Sequence, residues 1–380
     1  MKAVLLLLAL CPLLPAKTWI ELAREADYHL DHPGNNSRLA DDHPSRREYL
    51  TLSAETLGHL ISGQTAKIPM PSASEQKNFE PEFLKAITNL SSLLRLQIKE
   101  GSLAKAETTL QLFGKVRERI LDSDPNLLWF QVAHLGTRTC FNSLSELGKI
   151  KSVTTREELF KMLRAYWEET KVRKGTFLLT ETGESKTASF QAGTIPSLIR
   201  SYGSLDSEPI ILDPDFKPKL TVREILALPF DSEKAKAEAI NQTRQSYGLI
   251  RQGAKLDELL EKENRPHSRS RAFYESHHNG LWQYALNGFG FCRYPTFFLE
   301  IQRSNLLDQI TIQWISLEAD GVSLEKNEDL IERLPPDLKD RIKESKIEIN
   351  LSQRMLTDPK IRILEKSIPL TRTVPNLFPN

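Results

Sequence analysis

Eight histidines are spread over 380 residues, and two stretches concentrate them beside carboxylates. The first is DYHLDHPGNNSRLADDHP, from Asp27 to Pro44, where His29, His32 and His43 stand among four aspartates. Imidazole and carboxylate are zinc ligands, but a site needs three or four of them converging on a rigid frame with second-shell support. Here Pro33, Gly34, Asn35, Asn36, Ser37 and Pro44 favour turns and loops. No His-x-x-x-His pair sets two rings on one helical face, and no cysteine partners them. The stretch reads as a solvated connector, without a metal or other cofactor.

The second is FYESHHNGLWQYALNGFGFCRYP, from Phe273 to Pro295. Glu275, His277 and His278 are the residue types of a general base oriented by a carboxylate. On a helix, however, adjacent residues project about 100° apart, so the two rings do not share one target there. The plainer reading is a helix end, whose histidines suit the negative end of the dipole. An aromatic plug with Trp282, Tyr284, Phe289 and Phe291 then follows. The enzymatic alternative is a pocket over 273–295 using Glu275, His277 and His278. His134 and Cys140 do not form a dyad on a helix, because a spacing of six residues turns through about 240° net. No G-x-S-x-G elbow, phosphate-cradling G-x-x-x-x-G-K, dinucleotide fingerprint or H-E-x-x-H occurs.

Destination is read from the start of the chain. MKAVLLLLALCPLLPAKTW places Lys2 before an apolar run from Ala3 to Leu14, with Ala16 at a cleavage position. That run has the length of a signal-peptide core and is too short for a bilayer span. A lipoprotein would instead acylate Cys11, which follows Leu10. The expectation is a signal peptide over 1–16 and export to the periplasm or medium, with no later membrane span. Cys140 and Cys292 then remain, an even pair that permits one disulfide in an oxidising compartment or two separately buried thiols. The 51 basic residues exceed the 50 acidic ones by one, and loss of Lys2 equalises them. A neutral chain has no global field to attract nucleic acid. With 39% apolar and 27% charged residues it is an ordinary globular composition rather than a disordered one.

The positioning elements are mostly helical. Phe83, Ile87, Leu90, Leu94 and Ile98 repeat at helical spacing. Gly101 suits the left-handed position after that helix, and Ser102 the next N-cap. Leu103, Ala106, Leu110, Phe113 and Ile120 continue as the second arm of a hairpin. Asp124 and Pro125 open a third helix carrying Leu128, Val132, Leu135 and Leu144. Thr155 and Glu158 form a capping box for a fourth, with Leu159, Met162, Leu163 and Tyr166 inward. RKGTFLLTETGESKTASFQAG, with EPIILDPDFKPKLT after it, predicts an extended, β-hairpin insertion over 173–220. Thr221 caps the next helix, and Pro295 begins one carrying Phe297, Ile301, Leu306, Ile310, Ile312 and Ile315. KIEINL and KIRILEKSIPL are β-like runs that pair with each other or with the 173–190 hairpin.

The run LLRLQIKEGSLAKAETTLQLFGKVRERILDSDPNLLWFQVAHLG, with the later FFLEIQRSNLLDQITIQWISLEADGVSLEKNEDLIERLPPDLKD, resembles exported all-helical bacterial proteins of unknown function. The resemblance covers about half the chain and implies an exported helical protein; it supplies no catalytic residue. The EGxLxxA hairpin also looks like one tetratricopeptide-type unit, although no second copy recurs at a fixed period. The chain therefore divides into a leader (1–16), an N-terminal segment with the connector (17–78) and a helical hairpin block (79–172). An extended insertion (173–220), a second helical block (221–345) and a short β-like tail (346–380) follow. The fold class is mainly α, an irregular helical bundle or short solenoid with a minor β element. Stacked amphipathic helices leave a concave face, and the expected function is a non-enzymatic scaffold for a protein or peptide partner.

Overall fold

The computed structural model describes residues 39–63, 73–123, 125–209, 216–252, 269–289, 294–362 and 369–378. The leader, His29, His32, Cys292 and the charged run 253–268 lie outside these residues. The chain is mainly helical, with one small antiparallel sheet. It divides into two compact units, Met1–Ser123 with Gln131–Tyr166, and Asp124–Phe130 with Trp167–Asn380.

The first unit is built on α1 (Pro44–Gly63), α2 (Ala73–Lys99) and α3 (Leu103–Leu121). The expected stripes point inward: Ile87, Leu90, Leu94 and Ile98 of α2 are buried, as are Ala106, Leu110, Phe113 and Ile120 of α3. Gly101 takes φ +70, and its N–H donates to Ile98 O while Ser102 N–H donates to Gln97 O, each at 2.9 Å. These are the two bonds of a Schellman stop, which satisfies carbonyls that the ending helix leaves bare. Ser102, expected as a side-chain cap, makes no such bond.

α1 begins at Pro44, the last residue of the expected connector, and is a helix that the sequence reading of 17–78 did not place. Asp41 to His43 form the turn that enters this helix, and Tyr49, Leu50, Leu57 and Ile61 bury its inner face. Its stripe passes through Ser53, a polar residue on an otherwise apolar face, which hides the helical period from sequence. Asn89 Nδ2 on α2 donates to Tyr49 Oη and Ser53 Oγ, each at 3.2 Å, so the polar position is satisfied inside. Lys99 Nζ reaches Asp42 at 3.0 Å, and Arg47 pairs with Glu100, making α1 and α2 antiparallel.

The expected third helix is broken into α4 (Leu127–Ala133), α5 (Leu135–Asn142) and α6 (Leu144–Leu147). Asn126 caps α4, its Oδ1 accepting from Trp129 N–H at 3.0 Å, and the expected cap Asp124 lies outside the described residues. Within the first unit, α5 lies on α2 and α3, where Thr139 Oγ1 and Ser91 Oγ are 3.0 Å apart. α7 (Val153–Thr170) is capped by Ser152, whose Oγ accepts from Thr155 N–H at 3.3 Å, one turn earlier than the expected box. Leu159 and Leu163 are buried as expected, and Met162 and Tyr166 are half-buried.

The second unit overturns the 173–220 reading. α8 (Lys174–Leu178) and α9 (Glu181–Ser201) occupy most of that span. Ala188, Ala192, Ile195 and Ile199 form a buried helical stripe. The β-prone Thr and Phe residues yield to packing, because tertiary burial outweighs local propensity. α10 (Val222–Leu226) carries the expected cap at Thr221, a complete capping box with Glu224. α11 (Ser232–Gln252) runs antiparallel to α9: Thr180 hydrogen-bonds Tyr247 near one end, and Gly193 approaches the Lys236 side chain near the other. α12 (Arg271–Ser276), α13 (Gly280–Phe289) and α14 (Tyr294–Ala319) follow. The last of these buries Leu306, Ile310, Ile312 and Ile315 as expected. α15 (Asn327–Arg333) and α16 (Pro336–Ser345) lead into β1 (Glu348–Asn350), β2 (Met355–Arg362) and β3 (Pro369–Thr373).

The strands pair antiparallel in chain order, Ile349 opposite Leu356 and Leu356 opposite Arg372. Register slips between Asp358 and Arg362, where Pro359 and Pro369 each lack a donor for the ladder. Leu356 and Asp358 are both fully buried, and the sheet packs on α14. Arg303 of α14 meets Asp358 at 2.5 and 2.6 Å, and Arg372 of β3 meets Asp308 at 3.1 Å. The two expected β-like runs do not pair with each other. β1, from the first, pairs with Met355–Thr357, which precede the second, and the second run supplies the end of β2 and the start of β3, with Arg362 opposite Pro369. The residues at 173–190 form no strand.

Candidate functional site

The stretch from Phe273 spans α12, a three-residue turn and α13. Ser270 opens α12, its Oγ accepting from Phe273 N–H at 3.2 Å. The helix stops at His277, whose ψ of 132° is extended. This departs from the sequence geometry. Leaving the helix brings the His277 and His278 rings to 4.4 Å, stacked at 28°, rather than spreading them. They nevertheless serve different partners. His277 Nδ1 is placed to accept from Asn279 N–H at 3.1 Å, and its ring lies 5.4 Å from Phe273. His278 Nε2 lies 3.1 Å from Glu238 of α11, whose other oxygen accepts from Gln283 at 3.1 Å.

Glu275 turns elsewhere. It accepts from Arg271 Nε at 2.7 Å on an exposed face, and Arg271 Nη1 reaches Glu224 at 2.8 Å. The Glu224 carboxyl is held below the usual carboxylate range, first by the Thr221 backbone N–H, then by the Thr221 hydroxyl and Arg271. The Arg271 guanidinium is raised, first by its bond to Glu275 and then by Glu224. This is a solvated ion-pair ladder, and such groups orient helices more than they do chemistry.

Trp282 points inward, fully buried among Ala188, Ala192, Ala235 and Ala239. The small residues let α9 and α11 approach and leave room for the indole. Of the expected plug, Tyr284 packs with Tyr274 and with Phe216, a residue the sequence reading did not include, the ring centres lying 5.2 to 6.5 Å apart. Tyr284 Oη donates to Pro218 O at 3.0 Å, and burial pushes both phenols up. Glu275, His277 and Trp282 therefore do not line one cleft. Phe289 and Phe291 have no described side chains.

The remaining candidates divide in the same way. His43 is exposed at the entry to α1, and His29 and His32 lie outside the described residues. Among the described residues no three His, Cys, Asp or Glu side chains are placed to hold a metal ion. Cys140 is a free, fully buried thiol whose pKa burial pushes well up, the state of an inert core cysteine. Its proposed partner Cys292 is outside the described residues. No described helix is long and apolar enough to cross a membrane.

Sequence reading missed several residues that organise this region. Asn279 is fully buried, and its Oδ1 accepts from the Asp231 N–H at the start of α11 at 3.4 Å. Glu238 and Arg354 also escaped notice, since a single Glu or Arg on a polar surface carries no spacing signal. Two cavities stand out. An open groove of about 540 Å³ follows α1 past Asp42, Arg47, Thr51 and Leu52, and one of about 280 Å³ lies beside Trp314, Glu318, Arg354 and Phe378. No family model, curated protein or solved structure matches this chain.

Proposed function

We propose that this chain is an exported, non-enzymatic helical scaffold that holds a protein or peptide partner. The observation that carries this reading is the dispersal of the acid–base candidates. Glu275 belongs to the Arg271 ladder, His278 faces Glu238, and Trp282 is shut into an alanine-lined core. A general base must sit within hydrogen-bond reach of its target in a shared pocket, and these groups support no such pocket. Paired helices, by contrast, offer extended faces to a partner. Export rests on the leader: Lys2, the apolar run to Leu14 and Ala16.

The test is capture of the full-length protein, expressed in its native host, followed by identification of what it retains. The expected result is stoichiometric recovery of a partner protein that survives Glu275→Gln and His278→Gln. N-terminal sequencing of the same material is expected to begin near Lys17. An intact Met1 would remove the export reading, and turnover abolished by Glu275→Gln would replace the scaffold with an enzyme.

A further inference from the structure

Beyond β3 the chain continues as Val374–Phe378, and its anchoring is unusually specific. Val374 and Leu377 are buried at 1% and 0% exposure, while Asn376 between them is exposed. The Arg354 side chain grips the main chain of this segment. Arg354 donates from Nε to Val374 O at 2.9 Å and from Nη2 to Pro375 O at 2.8 Å. The Val374 N–H donates back to Arg354 O at 2.7 Å. The guanidinium is aimed by a two-pronged pair with Glu318 of α14, at 2.6 and 2.9 Å, and lies 5.2 Å from the Trp314 ring centre. Trp314 Nε1 donates to the same carboxylate at 2.8 Å. Arg354 itself sits at φ +49, the left-handed residue that closes the β1–β2 turn, where its N–H donates to Leu351 O at 3.0 Å. The cavity of about 280 Å³ opens alongside, with Asn376 and Phe378 among its walls.

Extended peptides are recognised in this way: hydrogen bonds to the main chain supply affinity, and pockets for spaced side chains supply specificity. We propose that Val374–Phe378 is a tethered self-ligand occupying a peptide groove made by α14 and Arg354, and that an extended segment of a partner protein displaces it. The partner segment carries the same pattern, an aliphatic residue, a proline, and a second aliphatic residue three positions after the first. The bonds from the Arg354 guanidinium go to main-chain carbonyl oxygens, which any extended chain presents. Tethering raises the effective concentration of the built-in segment to about millimolar, so the groove stays closed to weak competitors. This proposal rests on the scaffold reading and names its site.

Two full-length chains, wild type and Leu377→Ala, would be titrated with a fluorescent peptide of sequence RTVPNLFPN and with a control carrying Asp for its Val and Leu. The variant is expected to bind the first peptide about tenfold or more tighter than wild type, because its own segment competes less. The control is expected to bind neither chain. In the wild-type chain, which needs no substitution, saturating peptide is expected to speed amide exchange at Leu377 and Phe378. Absence of binding to both chains, equal binding of the control, or unchanged exchange at saturation overturns the proposal. A partner captured equally well by Arg354→Ala would leave the scaffold standing and reject only this groove.

Discussion

At the residue scale, neighbours in sequence here have different physical fates. Trp282 is enclosed by alanines from two helices, whereas Glu275 lies on an exposed ladder. Trp282→Ala is expected to cost about 3–5 kcal/mol, the range for a large aromatic lost from a core. Glu275→Gln is expected to cost at most about 1 kcal/mol, as for an exposed ion pair. Reversible urea denaturation of both variants checks the contrast, and similar losses would mean that the burial is misassigned. Gly280 is the sharpest single constraint, since an added Cβ would stand 1.8 Å from the Tyr274 carbonyl oxygen. Gly280→Ala must displace backbone, so its cost is expected to reach or exceed the upper end of the ~1–3 kcal/mol overpacking range. Gly114→Ala, with nothing within 4 Å on α3, is the matched control. It is expected to stabilise by roughly 0.5–1 kcal/mol through helix propensity. That Trp282 and Tyr284 are buried was legible from the aromatic content of their stretch; the stacking of His277 on His278 was not, because it follows from where α12 ends.

At the element scale, the α2–α3 hairpin is where local and tertiary signals agree. Leu94 and Leu110 are buried at 0% and 3%, on arms joined by the Gly101 stop. Leu94→Ala and Leu110→Ala are each expected to cost about 2–5 kcal/mol, read from denaturation midpoints. Losses below about 1 kcal/mol at both would contradict the packing. Caps give the elements a pH dependence of defined sign. The Asp329 carboxyl at the start of α15 is held below its ordinary range, first by the Lys326 N–H and then by the Glu325 N–H. Glu224 is lowered by Thr221 in the same manner. A carboxyl lowered in the folded state adds stability above its unfolded value, about 4, and loses it as pH falls through the folded one. Urea midpoints are expected to fall between about pH 5 and pH 2, and Asp329→Asn to flatten part of that fall. An unchanged profile in the variant would show that the cap is not the source. Capping grammar was readable at Thr221, while α9 was misread because Thr and Phe outvoted the Ala188, Ala192, Ile195 and Ile199 period.

At the scale of the whole molecule, the second unit joins helix to sheet through buried charge. Arg303 and Asp358 are exposed by only 6% and 0%, and Arg303 also donates to Ser345 O at 3.0 Å. Removing one partner strands the other in the interior. Asp358→Ala is expected to cost about 3–5 kcal/mol, whereas Arg303→Met combined with Asp358→Leu is expected to recover most of it. A double-mutant cycle measures this, and additive losses would show that the pair is not coupled. Neither residue is predictable from sequence, since they are separated by 55 positions and share no motif.

By itself the sequence determined the mainly helical class, the α2–α3 hairpin, the cap at Thr221 and the β character of the C-terminal tail. Each depends on periodicity or on contacts between residues close in the chain, where a few positions carry the whole physical signal. Tertiary structure alone decided that 173–201 is mostly helical and that a helix, α1, follows the connector from Pro44. It also decided that Glu275, His277 and Trp282 part company, and that Arg354 grips the C-terminal segment. Those outcomes turn on which distant surfaces bury one another, and the free energy of such burial exceeds the local preferences that a linear reading can weigh.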